Sequence, residues 1–439
     1  MLIRFKVANF LSFKEETEFS MVAGRERLHP NHVVKGGKNQ PNLLRSALLY
    51  GANAAGKSNF AKAIEFAKNF ITSGKFAFLF GSDTANWFRF DDNYRHYSTD
   101  LMFEFFTEGK IYEYNFRILF VNLEGCSVIE EILIEVRGDK RILLFKRNLD
   151  DKGNNIFSET NFLDKDSDKE FLVFVQRSVS QDELFLTHCA ENNVDWFLDA
   201  FKWFKNSLHV IFPNIPDYEI SKRISANDTF KEYFINLLER AGTGISDVKV
   251  RQVKSKNILG GWLSSNNTRR LTSEYITTDK IEILHEQKYK DVIPLFKKEE
   301  ESDGTQRLFD LAFPFYDLAS SETPNVYIID ELERNLHTNL SHMLLKSYLE
   351  QDGKGQLIAT THDTHLLDLD LLRRDEIWFA EKDEHGATQL YSLYDFNPRY
   401  DKDIEKDYLL GRYGAIPFLG NLEFKRKLGK ESKNGKSKK

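Results

Sequence analysis

Apolar and polar positions alternate from the start of the chain: Ile3, Phe5 and Val7 interleave with Arg4 and Lys6, which predicts an immediate strand. Glycines, prolines and His29-Pro30-Asn31-His32 break the pattern between Gly24 and Pro41, as a loop would. The apolar run Ala47-Leu48-Leu49-Tyr50 then predicts a buried strand. Phe60, Ile64, Ala67 and Ile71 fall on one face of a helix reaching about residue 73. Two hairpins follow. Met102–Phe106 and Ile111–Ile118 flank Glu108-Gly109-Lys110, and Val128–Val136 and Ile142–Lys146 flank Arg137-Gly138-Asp139.

Residues 150 to 170 turn polar. Residues 190–212 and 228–240 read as helices, the first with Trp196, Phe197, Ala200, Phe201 and Phe204 on one face. From 245 to 300 the alternation weakens around polar turns such as Ser264-Ser265-Asn266-Asn267. A second αβ block spans 301–395, with closing strands at Trp378–Lys382 and Leu390–Leu393. The expected organisation is an N-terminal lobe with a β subdomain (1–150), a mainly helical or mixed insertion (151–290), a C-terminal lobe (291–420) and a basic tail (421–439). Like-charge tails of this kind are solvated and disordered.

The 439 residues, 41% hydrophobic and 29% charged, are of ordinary globular composition, and 37 phenylalanines imply a well-filled core. A net charge of -6 supplies no global attraction to nucleic acid, so such contact is possible only through a local patch and is not required. Cys126 and Cys189 have no metal-ligand spacing, which points to a reducing cytoplasm. No signal-peptide core and no apolar run of membrane-spanning length occurs, so no membrane partner is expected.

Four strings stand out. Gly51-Ala52-Asn53-Ala54-Ala55-Gly56-Lys57-Ser58 lies between predicted strand and helix and reads as a P-loop. Its backbone N–H groups and the helix N-terminus would cradle phosphates, Lys57 would reach the β/γ-phosphates of ATP, and Ser58 would ligate Mg²⁺. Val326-Tyr327-Ile328-Ile329-Asp330-Glu331 is an apolar strand ending in two acids, with Asp330 expected on Mg²⁺ and Glu331 on the attacking water. Gln356–Thr361 is a third buried run ending in His362, placed to bond the γ-phosphate. Upstream of the acids, Ser302-Asp303-Gly304-Thr305-Gln306 opens a helix, with Ser302 as its N-cap.

In order and content, these strings resemble the ABC-type ATPase head of the SMC and RecF group. With Phe10-Leu11-Ser12-Phe13, Tyr50–Asn59, Glu301–Arg307 and Leu372–Phe379, the chain more closely resembles the ABC-type ATPases of bacterial phage-defence and abortive-infection operons, the RloA/AbiLi-like family. The resemblance implies an α/β P-loop fold of the ABC-ATPase type with an antiparallel β subdomain and a mainly helical insertion. It implies a nucleotide site of Gly51, Asn53, Ala54, Ala55, Gly56, Lys57, Ser58 and Asn59, with Glu331 and His362 catalytic and Asp330 on the metal. Ser302 and Gly304 would come from another copy, in a head-to-tail homodimer or higher oligomer.

It further implies an ATP-hydrolysing regulatory subunit of an anti-phage system, acting on a separately encoded nuclease or toxin. A RecF/SMC-like DNA-binding repair ATPase is the alternative, and salt-dependent DNA affinity separates the two. The chain departs from the family in three places. Gln176 and Gln181 compete for the Q-loop position. No long coiled coil is present, and Leu336-His337-Thr338 replaces a His-Pro pair, leaving His337 near a nucleotide or in a cap. Asp368-x-Asp370 and Asp401-x-Asp403 have nuclease-like spacing but sit in turn-like surroundings and read as solvated acids.

Overall fold

The apolar runs that end in reactive side chains lie side by side. In a computed structural model of the protein, Leu208–Ile211, Val326–Ile329, Gln356–Thr360, Ser46–Tyr50, Ile377–Lys382 and Thr388–Ser392 form, in that order, a six-stranded sheet. The first five strands run parallel and the last antiparallel. The structure describes residues 1–416 apart from 75–85, 123–124, 161, 214, 218, 260–271, 286–294 and 321–322. The basic tail and the Ser264–Asn267 turn lie outside them.

Strands covered on both faces need apolar side chains throughout, and Ser46–Tyr50, Val326–Ile329 and Gln356–Thr360 are buried at every position. Ile329 pairs with Ala359, and Ala359 with Leu48, so the C-terminal ends of these three strands come level at one edge.

A seven-stranded antiparallel sheet, Asn155–Phe157, Lys140–Leu149, Gly125–Arg137, Lys110–Asn122, Thr99–Thr107, Leu2–Ala8 and Thr17–Ser20, forms the expected β subdomain. The helix Lys57–Ser73 packs between the two sheets. Its predicted apolar face, Phe60, Ile64, Ala67 and Ile71, is fully buried in a core shared with Phe5, Phe103 and Phe116 of one sheet and Leu49 and Ile358 of the other. Phe5 meets Phe60 edge-on at 5.7 Å. Each enclosed phenylalanine contributes roughly 1.5–3 kcal/mol, which explains the aromatic load.

On the opposite face, Leu48, Tyr50, Ile329 and Leu357 pack against Phe309, Phe315, Leu344 and Tyr348 of the helices Asp303–Ser320 and Thr338–Leu349. The fold is therefore α/β with an added antiparallel sheet, as expected. The helices between 166 and 207 join the first core, and those between 220 and 240 join the second. A three-stranded antiparallel sheet, Ile245–Leu259, Thr272–His285 and Leu295–Lys297, follows them.

One predicted helix is corrected. Residues 190–212 are not helical to their end: after the short helix Leu198–Lys202 and one π-turn, Trp203–Ser207, the chain becomes the strand Leu208–Ile211. Val210 and Ile211 are β-branched and suit a strand, and Ile211 accepts the Asp330 N–H at 2.9 Å. Trp203 stacks on Phe105 at 4.2 Å, anchoring the turn in the antiparallel sheet.

Candidate functional site

The P-loop leaves the central strand at Tyr50 and enters its helix at Lys57. Its two glycines answer to neighbours. A Cβ on Gly51 would lie 2.4 Å from the Ala380 carbonyl oxygen, and one on Gly56 would lie 2.1 Å from Thr388 Oγ1. Gly56 also has φ 110°, which side chains resist. Thr388 Oγ1 donates to the Ala55 carbonyl at 2.8 Å and lies 2.7 Å from Ser12 Oγ, which accepts from the Asn59 amide at 2.8 Å. The Phe10–Phe13 turn, closed by backbone hydrogen bonds between its ends, thus braces the loop from below. Ala55, Gly56 and Lys57 are buried, whereas Asn53 and Ala54 are exposed and Ser58 is partly exposed at the helix start.

Lys57 folds back over the loop, its Nζ donating to the carbonyls of Gly51 at 2.8 Å and Ala52 at 3.1 Å. Burial pulls its ammonium down to about 8, and Glu333, Asp330 and Glu331, in that order, oppose the shift.

Asp330 is buried, and its Oδ1 accepts from the Thr360 hydroxyl at 2.7 Å. The same hydroxyl oxygen accepts the Glu331 N–H at 2.8 Å, so the neighbouring strand holds both acids in place. Glu331 stands in the left-handed region at φ 50°, a conformation that surrounding contacts must enforce. Arg307 helps, its Nη2 donating to the Asp330 and Glu331 carbonyls at 3.2 and 3.1 Å. The Glu331 carboxylate pairs with Arg334 at 3.0 Å.

His362 lies at the edge beside them. Its backbone N–H donates to Glu333 Oε1 at 2.6 Å, while partial desolvation and then the Lys57 charge lower the ring's pKa. The structure therefore brings the P-loop, Asp330, Glu331 and His362 to one sheet edge.

Ser302 and Gly304 instead touch Thr305 and Asn335. Ser302 Oγ accepts the Thr305 N–H at 3.2 Å, as an N-cap does, and a Cβ on Gly304 would sit 2.7 Å from the Asn335 carbonyl. His337 is an N-cap, its ring accepting from the Asn339 N–H at 3.2 Å. Gln181 binds the Gly153 carbonyl. Asp368 accepts from the Asp370 N–H at 2.8 Å, and Asp403 caps the helix Ile404–Leu409. Ser12, Arg307 and Thr360 lie within strings the sequence singles out, but their contacts at the site, like those of Glu333 and Thr388, follow only from the fold. An acid two residues past Glu331 was visible as a string, but its contact with His362 depends on strand pairing.

The donor set suits Mg²⁺. A hydroxyl from Ser58 and a carboxylate from Asp330 are hard oxygen ligands of the kind this ion takes beside phosphates. Among the described residues no group of three or more His, Cys, Asp or Glu forms an independent metal cage. No described helix is long and apolar enough to cross a membrane.

Residues 46–368 match the family described as "AAA domain, putative AbiEii toxin, Type IV TA system". No curated protein matches the chain. Among solved structures, the chain is similar to an SMC head bound to the C-winged helix domain of ScpA (12% identity, 89% of this chain and 97% of that one, TM-score 0.42). It is similar also to the SMC head domain from Thermotoga maritima (15% identity, 89% and 98%, TM-score 0.37). A third is the Smc head domain with an extended coiled coil from Pyrococcus furiosus (12% identity, 94% and 98%, TM-score 0.36).

Proposed function

The chain belongs to this AAA-domain family, and from that premise we propose that it is a cytoplasmic ATPase of the RloA/AbiLi-like kind. It would hydrolyse ATP with Mg²⁺ and regulate a separately encoded nuclease or toxin in phage defence. The observation that carries the hydrolytic part is the common strand edge. Pairing of Val326–Ile329 with Gln356–Thr360, and of that strand with Ser46–Tyr50, brings two acids and a histidine to the same sheet edge as the lysine-bearing loop, which supports this reading.

In this reading Gly51, Asn53, Ala54, Ala55, Gly56 and Asn59 shape the cradle and Lys57 contacts the β/γ-phosphates. Ser58 and Asp330 hold Mg²⁺, which would offset the phosphate charge. Glu331 orients and deprotonates the attacking water, and His362 donates to the γ-phosphate. Phosphoryl transfer asks the protein mainly for such positioning and charge stabilisation.

Ser302 and Gly304 act on the nucleotide of a second copy. The cap at Ser302 uses an oxygen lone pair, so the hydroxyl proton remains free for a phosphate oxygen when Thr305, 2.9 Å away, serves as the donor between the two hydroxyls. Both sides of the γ-phosphate are then contacted only in a dimer, which makes assembly report on ATP.

Mixed dimers test the arrangement. Ser302→Ala and Lys57→Ala homodimers are each expected to lack turnover. Mixing them restores phosphate release, because one composite site per mixed dimer keeps Lys57 from one copy and Ser302 from the other. Absence of any complementation refutes the shared site. Ser302→Ala should also cost about 1 kcal/mol as a lost cap, seen as a small drop in Tm.

The regulatory part is tested by affinity capture of the full-length protein with ATP and the non-hydrolysing Glu331→Gln variant. Co-purification of a nuclease or toxin encoded beside the ATPase supports it. Turnover that depends on duplex DNA, with affinity falling steeply as salt rises, would instead place the chain among DNA-clamping repair ATPases.

A further inference from the structure

Glu333 follows Glu331 by two residues on the loop beyond the acid strand. Its Oε1 accepts the His362 backbone N–H at 2.6 Å, while its Oε2 is enclosed and has no hydrogen-bond partner. An enclosed carboxylate oxygen with no donor is unfavourable, and a donor arriving with the nucleotide would relieve it. The other two acids are engaged differently: Asp330 takes the Thr360 hydroxyl at 2.7 Å, and Glu331 takes Arg334 at 3.0 Å. Glu333 alone of the three is bonded to the His362 segment and has an oxygen among the enclosed, unpartnered ones.

Resting on the reading that this chain hydrolyses ATP, we propose that Glu333 is a positioning residue for that reaction. Through Oε1 it fastens His362 at the reacting phosphate, and through Oε2 it takes a hydrogen bond from the water that the phosphate brings into the site. Its negative charge strengthens both bonds.

Glutamine separates this role from a structural one. Glu333→Gln keeps the side-chain shape and a carbonyl oxygen for the His362 backbone N–H, and replaces the charged, accepting Oε2 with an uncharged, donating amide NH2. The full-length variant and wild type are compared by titration with a fluorescent ATP analogue, by steady-state phosphate release and by thermal melting. The expected result is a fall in kcat of roughly 100-fold, the scale at which misplaced reacting groups lose rate, with KM and nucleotide Kd unchanged and Tm no lower than wild type. A wild-type kcat in Glu333→Gln overturns the assignment, and so does a loss of rate matched by lost nucleotide binding or a lowered Tm. Wild-type protein that binds ATP and releases no phosphate overturns the hydrolysis reading itself, a separate outcome read from the same assays.

Discussion

Lys57→Ala is expected to abolish ATP binding at micromolar nucleotide, measured by titration with a fluorescent ATP analogue. The ammonium is the one cation that the loop itself supplies, and charge-assisted bonds to a phosphate are worth about 1.5–3 kcal/mol each. Losing two of them weakens affinity by roughly 100-fold or more, since about 1.4 kcal/mol is tenfold. In the structure Lys57 is bonded to the Gly51 and Ala52 carbonyls, so alanine also releases the loop from its resting shape. That second effect is local: the loop remains pinned at Ala55 by Thr388 and at Asn59 by Ser12. The fold should therefore survive, with a Tm close to wild type. Unchanged nucleotide affinity would remove the phosphate-cradle assignment.

Glu331→Gln is expected to bind ATP normally, to turn it over at least roughly 100-fold more slowly, as loss of a general base does, and to accumulate as an ATP-bound dimer on size exclusion. Stability should hardly move. The Arg334 pair is partly open to water, 39% and 35% exposed on its two sides, and such pairs contribute about 0–1 kcal/mol. Glutamine also leaves untouched the backbone bonds from Arg307 and to Thr360 that hold the left-handed turn. A variant releasing phosphate at the wild-type rate would take the water-activating role away from Glu331. Both changes lower turnover, but by different routes: Glu331→Gln removes the base, whereas Glu333→Gln removes the charge beside the His362 backbone.

Much of this site could be read from short strings because its parts are local. The P-loop needs glycines where backbone must crowd other atoms, and a lysine and serine at the turn into a helix. These requirements fall within eight consecutive residues, Gly51–Ser58. The acid strand and the His362 strand are legible for a similar reason: a parallel strand covered on both faces must be apolar along its length, so a polar residue at its end stands out. The β subdomain was legible through alternation around Gly109 and Gly138, which have φ 76° and 61° at the hairpin turns. The strand Leu208–Ile211 was not, because its apolar residues continue the helical spacing of Phe201 and Phe204. Only pairing with Val326–Ile329 separates them.

By itself, then, the sequence determined the P-loop string, the acids and histidine at the ends of apolar runs, and the alternation of buried strands and helices, since each depends on neighbours along the chain. Tertiary structure alone decided what surrounds these groups. Thr388 fills the space a Gly56 side chain would need, Thr360 links both acids through one hydroxyl, and Arg307 holds the Glu331 backbone from the helix Asp303–Ser320. Glu333 holds His362 from across a strand. These contacts join residues 24 to 332 positions apart, at separations set by strand register and helix packing, which no local pattern records.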